Sequence, residues 1–125
     1  MHEMSLAGGI LKLVEDAAAR EGFRRVSRLN LQCGKLAGVE LSALRFALDV
    51  VSRGTVLDGA EVQIDEPPGD GLCMACGQAV ELLQRGQDCP HCGSAQVVAR
   101  GGDQLRVVDM IVHDDPGPAG PAKAH

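Results

Sequence analysis

The sequence predicts an α+β fold in which two helices and a three-stranded sheet form a small domain, interrupted by an inserted cysteine-rich module. Three observations lead to this prediction: two segments with apolar residues at helical spacing, three β-prone segments, and two C-x-x-C pairs in a glycine-rich stretch. The chain has 125 residues and a formal net charge of -5. This length fits one small domain with a short insertion better than two large domains.

Each helix is predicted from a stripe of apolar side chains that recurs every three or four residues. The first stripe consists of Leu6, Ile10, Leu13, Val14 and Ala17. We expect Ser5 to cap the start of this helix and Gly22 to end it, because a hydroxyl accepts an amide hydrogen bond and glycine readily adopts the left-handed conformation. The second stripe consists of Leu41, Leu44, Leu48 and Val51, after which Gly54 ends the helix.

The strands are predicted from the alternation of apolar and polar residues. In the first strand Leu29, Leu31 and Cys33 alternate with polar neighbours, so Cys33 is expected in the core as a small hydrophobe without a ligand role. In the second strand Val62 and Ile64 alternate with polar residues. The third is the most β-prone apolar run of the chain and consists of Leu105, Val107, Val108, Met110, Ile111 and Val112.

Composition divides the chain into segments. Residues 69–102 are rich in glycine and poor in large apolar side chains, so they cannot build much of a core of their own. The β-prone run that follows needs a sheet, and we expect it to return to the sheet of the first domain. The predicted domains are therefore residues 1–68 with 103–113, and an inserted module of residues 69–102. The tail, residues 114–125, is too rich in Pro, Gly and Ala to fold.

Cys73, Cys76, Cys89 and Cys92 form two C-x-x-C-G motifs that are separated by twelve residues. Two residues between cysteines let one tight turn direct both sulfurs to a common point, and the following glycine lets the chain turn away with positive φ. The intervening stretch is long enough for a short hairpin, with a turn near Gly86, that brings the motifs together. This is the pattern of a zinc ribbon, in which four thiolates hold a structural Zn²⁺.

Two enzymatic interpretations of the cysteines are disfavoured. A thioredoxin-like C-x-x-C occurs once, at a helix start after a strand, whereas this chain has the motif twice in a glycine-rich segment. A catalytic zinc normally has three protein ligands and an open water position, which four thiolates do not leave. His91, inside the second motif, could replace a cysteine, but we expect an exposed loop histidine. The sequence therefore predicts no enzyme.

Charge and hydropathy argue against two classes of partner. Residues 69–102 carry two arginines against three acidic residues, so they lack the clustered positive charge that neutralises phosphates. The whole chain has two aromatic residues, too few to stack on nucleic-acid bases. No apolar run approaches the roughly 20 residues that span a bilayer, and the start does not resemble an export signal. We therefore expect no nucleic-acid partner, no membrane association, and a cytoplasmic protein whose cysteines stay reduced.

The amino terminus, Met1-His2-Glu3, offers a second set of metal donors. The free amine, the deprotonated amides of the first residues and the His2 imidazole lie within chelate distance of one another. Nitrogen-rich, planar coordination suits Ni(II) or Cu(II) better than structural zinc. Because many chains carry a histidine at position 2 by chance, this motif alone does not establish a metal site.

Several motifs occur in a fixed order along the chain. They are Met1-His2-Glu3, Ser5-Leu6, Gly34, Leu44–Ala47, Gly59–Glu61, the two cysteine pairs with Pro90, Gly93 and Ser94, and the closing strand at residues 102–112. In this order and at this spacing, roughly residues 1–113 resemble the HypA/HybF family of nickel-incorporation proteins.

The resemblance implies a nickel metallochaperone for maturation of [NiFe]-hydrogenase with a structural zinc ribbon. It implies that His2 is the principal nickel ligand, together with the Met1 amine, backbone nitrogens near Glu3 and the Glu3 carboxylate, and that the acidic Glu40 assists. The implied partners are a nickel-handling, HypB-like GTPase, the hydrogenase large-subunit precursor and, in some members, urease; homodimers are also implied. Two alternatives stay open: a zinc-ribbon adaptor that docks on proteins without nickel, and a thiol oxidoreductase.

Overall fold

The computed structural model describes residues 2–115 and shows two helices and six strands in that range. In chain order they are α1 (Glu3–Glu21), β1 (Arg25–Cys33), α2 (Leu41–Ser52), β2 (Glu61–Asp65), β3 (Gly69–Cys73), β4 (Ala79–Leu82), β5 (Val97–Ala99) and β6 (Leu105–His113). The strands form two three-stranded sheets, with the orders β2-β1-β6 and β4-β3-β5. The predicted α+β class, and the return of the last strand to the first sheet, are confirmed.

Two compact units are defined by the contacts within the chain. Over the described residues, the first unit comprises 2–30, 39–63 and 109–115, and the second comprises 31–38 and 64–108. The second unit contains all four paired cysteines and extends beyond the inserted module of residues 69–102. The predicted domain boundaries stay a prediction, and most of the tail lies outside the described residues.

α1 begins two residues earlier than its predicted cap. His2 is the N-cap residue and its side chain makes no capping hydrogen bond, so Ser5 lies inside the helix and its prediction as the cap was wrong. An acidic residue, Glu3, occupies the first turn, where the helix dipole favours negative charge. The predicted end is confirmed, because Gly22 has φ 81° and its amide donates to the carbonyl of Ala18 at 2.8 Å.

One member of the predicted apolar stripe of α1 is exposed, and another, Leu6, is only half-buried. Leu13 is 53% exposed, whereas Ile10, Val14 and Ala17 are buried. At 100° per residue Leu13 lies about 90° from the centre of the buried stripe, and its side chain therefore points away from the core.

The core of the first unit is built from the inner faces of α1 and α2, which pack on each other, and from β1. Its buried apolar residues are Ala7, Ile10, Val14, Ala17, Ala18, Phe23, Val26, Leu29, Leu44, Ala47, Leu48 and Leu57. The alternation predicted for β1 is confirmed, since Leu29, Leu31 and Cys33 are all buried. The β-prone run is a strand as predicted, although Ile111 and Val112 are exposed.

Candidate metal sites

The cysteine-bearing unit is organised around a β-hairpin whose turn is the first C-x-x-C motif. β3 and β4 pair antiparallel from Gly69↔Leu82 to Leu72↔Ala79, and β3 leads directly into Cys73. β5 pairs with the other side of β3. The hairpin expected between the two motifs was therefore wrong, because the stretch between them contributes one strand that pairs with the chain before the first motif. The turn predicted near Gly86 is present, and Gly86 has φ 78°.

The two C-x-x-C motifs adopt the same backbone arrangement. In each, the glycine after the second cysteine donates its amide to the carbonyl of the first cysteine at 2.8 Å. Gly77 and Gly93 have φ of 76° and 78°, in the left-handed region that glycine adopts at no steric cost. An amide inside each turn also points at sulfur: Cys76 N lies 3.5 Å from Cys73 Sγ, and His91 N lies 3.3 Å from Cys89 Sγ. The predicted role of the two glycines is confirmed.

The four sulfurs fit one tetrahedral metal ion. All four lie within 4.8 Å of one another, with 3.6 Å between Cys73 Sγ and Cys92 Sγ and 3.8 Å between Cys76 Sγ and Cys89 Sγ. Zinc at about 2.3 Å from each of four thiolates separates the sulfurs by about 3.8 Å. All five cysteines of the chain are free thiols, so no disulfide competes for these atoms. The site can therefore hold a metal such as zinc.

The local structure favours deprotonation of the Cys73 thiol and disfavours deprotonation of the Cys92 thiol. Hydrogen bonding from the Cys76 amide lowers the pKa of the Cys73 thiol to about 7. The Ser94 amide lowers the pKa of Cys92, but its proximity to Cys73 and its loss of solvent raise that pKa to about 12 on balance. A metal must displace protons from such a set, because only thiolates are good zinc ligands.

A leucine from outside the inserted module fills the small core beneath the cysteines. Leu36 is 1% exposed and packs with Cys73, Cys89, Val80 and Leu82. Its carbonyl accepts a hydrogen bond from Arg85 Nε at 2.9 Å. Sequence reasoning missed this residue, which lies in the turn between β1 and α2. The one available signal was an isolated large apolar residue in a glycine-flanked turn, where an exposed polar residue is usual.

Three glycines far apart in the sequence meet in the same unit. A Cβ on Gly34 would overlap the carbonyl of Gly102, and a Cβ on Gly102 would overlap the Cα atom of Gly69. The Leu36 amide donates to the Gly102 carbonyl at 2.8 Å, and the neighbouring Lys35 amide donates to Pro67 at 3.0 Å. We call Gly34, Gly69 and Gly102 the glycine crossing. It holds the Leu36 turn against the chain segments that enter and leave the cysteine module.

The predicted amino-terminal donors differ in exposure. His2 is exposed at the start of α1, whereas Glu3 is 7% exposed. Met1 lies outside the described residues. The first helical hydrogen bond runs from the Leu6 amide to the His2 carbonyl at 3.0 Å, so the amides before Leu6 have no intrahelical acceptor.

The two acidic residues named with this site lie side by side. The Glu40 amide donates to Glu3 Oε2 at 3.0 Å. Glu40 is the N-cap of α2, where its Oε1 accepts from the amide and hydroxyl of Ser42 at 3.1 and 2.6 Å. These hydrogen bonds lower the pKa of Glu40. Hydrogen bonding, including that from the Glu40 amide, lowers the pKa of Glu3 to about 2.

This fold, with one four-thiol site, defines a small metal-handling protein. The family model described as "Hydrogenase/urease nickel incorporation, metallochaperone, hypA" matches residues 1–112. Since that match covers most of the chain, the chain belongs to the HypA family of nickel-incorporation metallochaperones, which act in hydrogenase and urease nickel incorporation. The resemblance identified from the sequence motifs is confirmed.

Curated relatives agree over nearly their whole lengths. The hydrogenase maturation factor HypA of Polaromonas naphthalenivorans is 59% identical over 115 residues, which cover 92% of this chain and 100% of the relative. The hydrogenase maturation factor HypA of Cupriavidus necator is 54% identical over 114 residues, which cover 91% and 96%.

A solved structure supports the fold. The solution structure of the nickel metallochaperone HypA from Helicobacter pylori matches with a TM-score of 0.65, covering 92% of this chain and 100% of that one at 19% identity. At that identity the likeness establishes the fold alone. Among the described residues, no helix is both long and apolar enough to cross a membrane.

Proposed function

We propose that this protein binds Ni(II) at its amino terminus and delivers it for maturation of [NiFe]-hydrogenase. His2 is the principal ligand, and the Met1 amine and backbone nitrogens at His2 and Glu3 complete a nitrogen-rich site. The observation that carries the proposal is the exposure of His2 at the start of α1, before the first amide that has an intrahelical acceptor. An exposed imidazole beside such amides is accessible to nickel and also to the ligands of a protein that removes it.

The transfer is ligand exchange and not catalysis. Nickel binds reversibly at an exposed site, and competing ligands of the acceptor remove it. Cys73, Cys76, Cys89 and Cys92 would hold a structural zinc ion, and four thiolates would leave no position for water or substrate. What zinc supplies here is cohesion: it closes the loops of a module whose apolar core has few members.

The family's role in nickel incorporation supports partners that belong to the hydrogenase maturation machinery. We propose a HypB-like GTPase that handles nickel and the precursor of the hydrogenase large subunit as the proteins between which nickel moves, and a cytoplasmic location. A homodimer is compatible with this role.

A nickel titration of untagged protein tests the site. We expect His2→Ala to weaken Ni(II) binding at least about tenfold, because changing even the outer partners of metal ligands costs roughly 10–100-fold. His91→Ala is the matched control, since it removes another exposed histidine whose amide contact with Cys89 is retained. Calorimetry and the d–d absorption of Ni(II) give the readouts.

The same titration separates the alternatives. Equal nickel affinity in wild type and His2→Ala would reject the proposed site and favour a zinc-ribbon adaptor that docks on proteins without nickel. A thiol oxidoreductase predicts cysteines that react with thiol reagents in the zinc-loaded protein. The proposed structural zinc predicts that they do not.

A further inference from the structure

We infer that the outer face of the β4-β3-β5 sheet is a docking surface for a segment of another protein that places Lys or Arg beside an apolar side chain. The face has an apolar group and a charged group, which are Leu72, Met74, Ala79 and Val98, and Asp70, Glu81 and Arg100. The proposed nickel transfer assigns no role to these residues, and docking here does not depend on nickel at the amino terminus.

The strand register separates the two faces of this sheet. In β3, Leu72 pairs with Ala79 on one side and with Val98 on the other. Side chains directly opposite one another across strands point to the same face, whereas successive residues of a strand alternate between faces. Cys73, the next residue of β3, is fully buried in the core that also holds Val80. Leu72 and its two partners therefore point away from that core.

This outward row is apolar, although an antiparallel sheet with one packed face normally carries polar residues on the other. Val98 is 52% exposed, Ala79 is exposed and Leu72 is half-buried. Met74 is 61% exposed, and its amide donates to the Gln96 carbonyl at 2.7 Å. That hydrogen bond extends the ladder between β3 and β5 by one position, which places Met74 on the same face as Leu72. Exposed apolar side chains that are grouped in this way mark an interaction site, whereas single ones do not.

The other sheet of the protein shows the usual composition of a solvated face. On β2-β1-β6, Arg28 Nη2 lies 3.0 Å from Glu61 Oε1, and Asn30 Nδ2 donates to Asp109 Oδ1 at 2.6 Å. These polar groups are paired across neighbouring strands, so they need no further partner. The row through Leu72 contains no polar side chain at all.

The adjacent row on the outer face selects the charge of the partner. Asp70 stands directly opposite Glu81, and Arg100 Nη2 lies 3.6 Å from Asp70 Oδ2. Within the described part of the chain, neither a cation nor a hydrogen-bond donor pairs with the Glu81 carboxylate. Like charges that face each other across strands repel, so a Lys or Arg that approaches Glu81 relieves this repulsion and lies beside the apolar row. A second copy of the same face would double the excess of negative charge and fits less well.

Binding of a designed peptide tests the surface. The probe is a short helical peptide with leucines along one stripe and lysines beside them, and its matched form has glutamate in place of every lysine. Each peptide is titrated into the isotopically labelled, zinc-loaded full chain. We expect the lysine peptide to shift the amide resonances of β3, β4 and β5, and the glutamate peptide to leave them unchanged.

Two substitutions inside the face and two outside it separate docking from net charge and from general hydrophobicity. We expect Glu81→Lys and Val98→Ser to weaken binding of the lysine peptide about tenfold or more. Glu15→Lys makes the same change of net charge at an exposed site on α1, and Ile111→Ser removes a side chain of similar exposure, 48%, from β6. Both controls should bind within about threefold of wild type. Zinc content and far-ultraviolet circular dichroism show that each variant is folded.

Three results of the titrations would overturn the inference. They are no binding of the lysine peptide, resonance shifts confined to other parts of the chain, and equal losses in Glu81→Lys and Glu15→Lys, which would mean that only net charge matters. A dimer in sedimentation equilibrium that Val98→Ser dissociates would assign the face to a second copy and would overturn it as well. The nickel titration of His2→Ala is independent of these outcomes, so a failure here leaves the proposed function intact.

Discussion

Leu36→Ala should weaken zinc binding although residue 36 lies more than thirty positions from the nearest cysteine of the four-thiol site. The side chain is 1% exposed and packs with Cys73 and Cys89. Truncation removes three carbons at about 0.8 kcal/mol each, and the cavity left behind raises the cost to about 3 kcal/mol. Metal binding and folding of such a module are one equilibrium, so this energy appears as zinc affinity, and we expect a loss of roughly 100-fold.

Competition with a chromophoric zinc chelator at neutral pH measures this loss. Leu83→Ala is the matched control: it removes the same atoms in the same unit from a side chain that is 55% exposed, so its zinc affinity should stay within about threefold of wild type. Leu44→Ala truncates a fully buried leucine of the other unit and should lower thermal stability without a comparable loss of zinc. Equal zinc affinities for Leu36→Ala and Leu83→Ala would refute the reasoning.

Two further predictions concern the cysteine unit. Zinc binding should release more protons as the pH falls through about 7, because the Cys73 thiol, with its pKa of about 7, is already deprotonated above that pH and carries a proton below it. The apparent affinity then falls by about one additional factor of ten per pH unit below about 7, which calorimetry in buffers of different ionisation enthalpy measures; a constant proton count from about pH 8 to about pH 6 would contradict it. Gly102→Ala should cost about 3 kcal/mol or more of unfolding free energy, because residue 102 has φ 88° and a Cβ there overlaps Gly69. Gly86→Ala, at φ 78° with open space around it, should cost only about 1 kcal/mol in the same denaturant titration, and equal losses would rule out the overlap as the cause.

Local patterns were sufficient for most of the secondary structure and for the four-thiol site. Cysteine spacing and the glycine after each pair depend on turns of a few residues, so Cys73, Cys76, Cys89 and Cys92 could be assigned to one site from the sequence alone. Alternation likewise placed Leu29, which is fully buried, in the core.

Contacts between distant segments could not be predicted in this way. Nothing near Leu36 in the sequence shows that it packs with Cys73, because that contact is made by chain segments separated by the whole of α2 and β2. The Glu3–Glu40 hydrogen bond has the same character, since it depends on how α1 packs on α2 and not on either helix alone. The start of α1 was misplaced because Ser5 is a good cap by type, but the helix begins at Glu3.

The glycine crossing has a consequence for the way the sequence can vary among relatives. A Cβ on Gly34 would overlap Gly102 and a Cβ on Gly102 would overlap Gly69, so the three positions constrain one another in sequence although more than thirty residues separate each from the next. A relative that replaces one of them needs a displaced backbone at a second. We therefore expect substitutions at these positions to appear together in an alignment, as covariation without any change of charge or hydropathy to mark it.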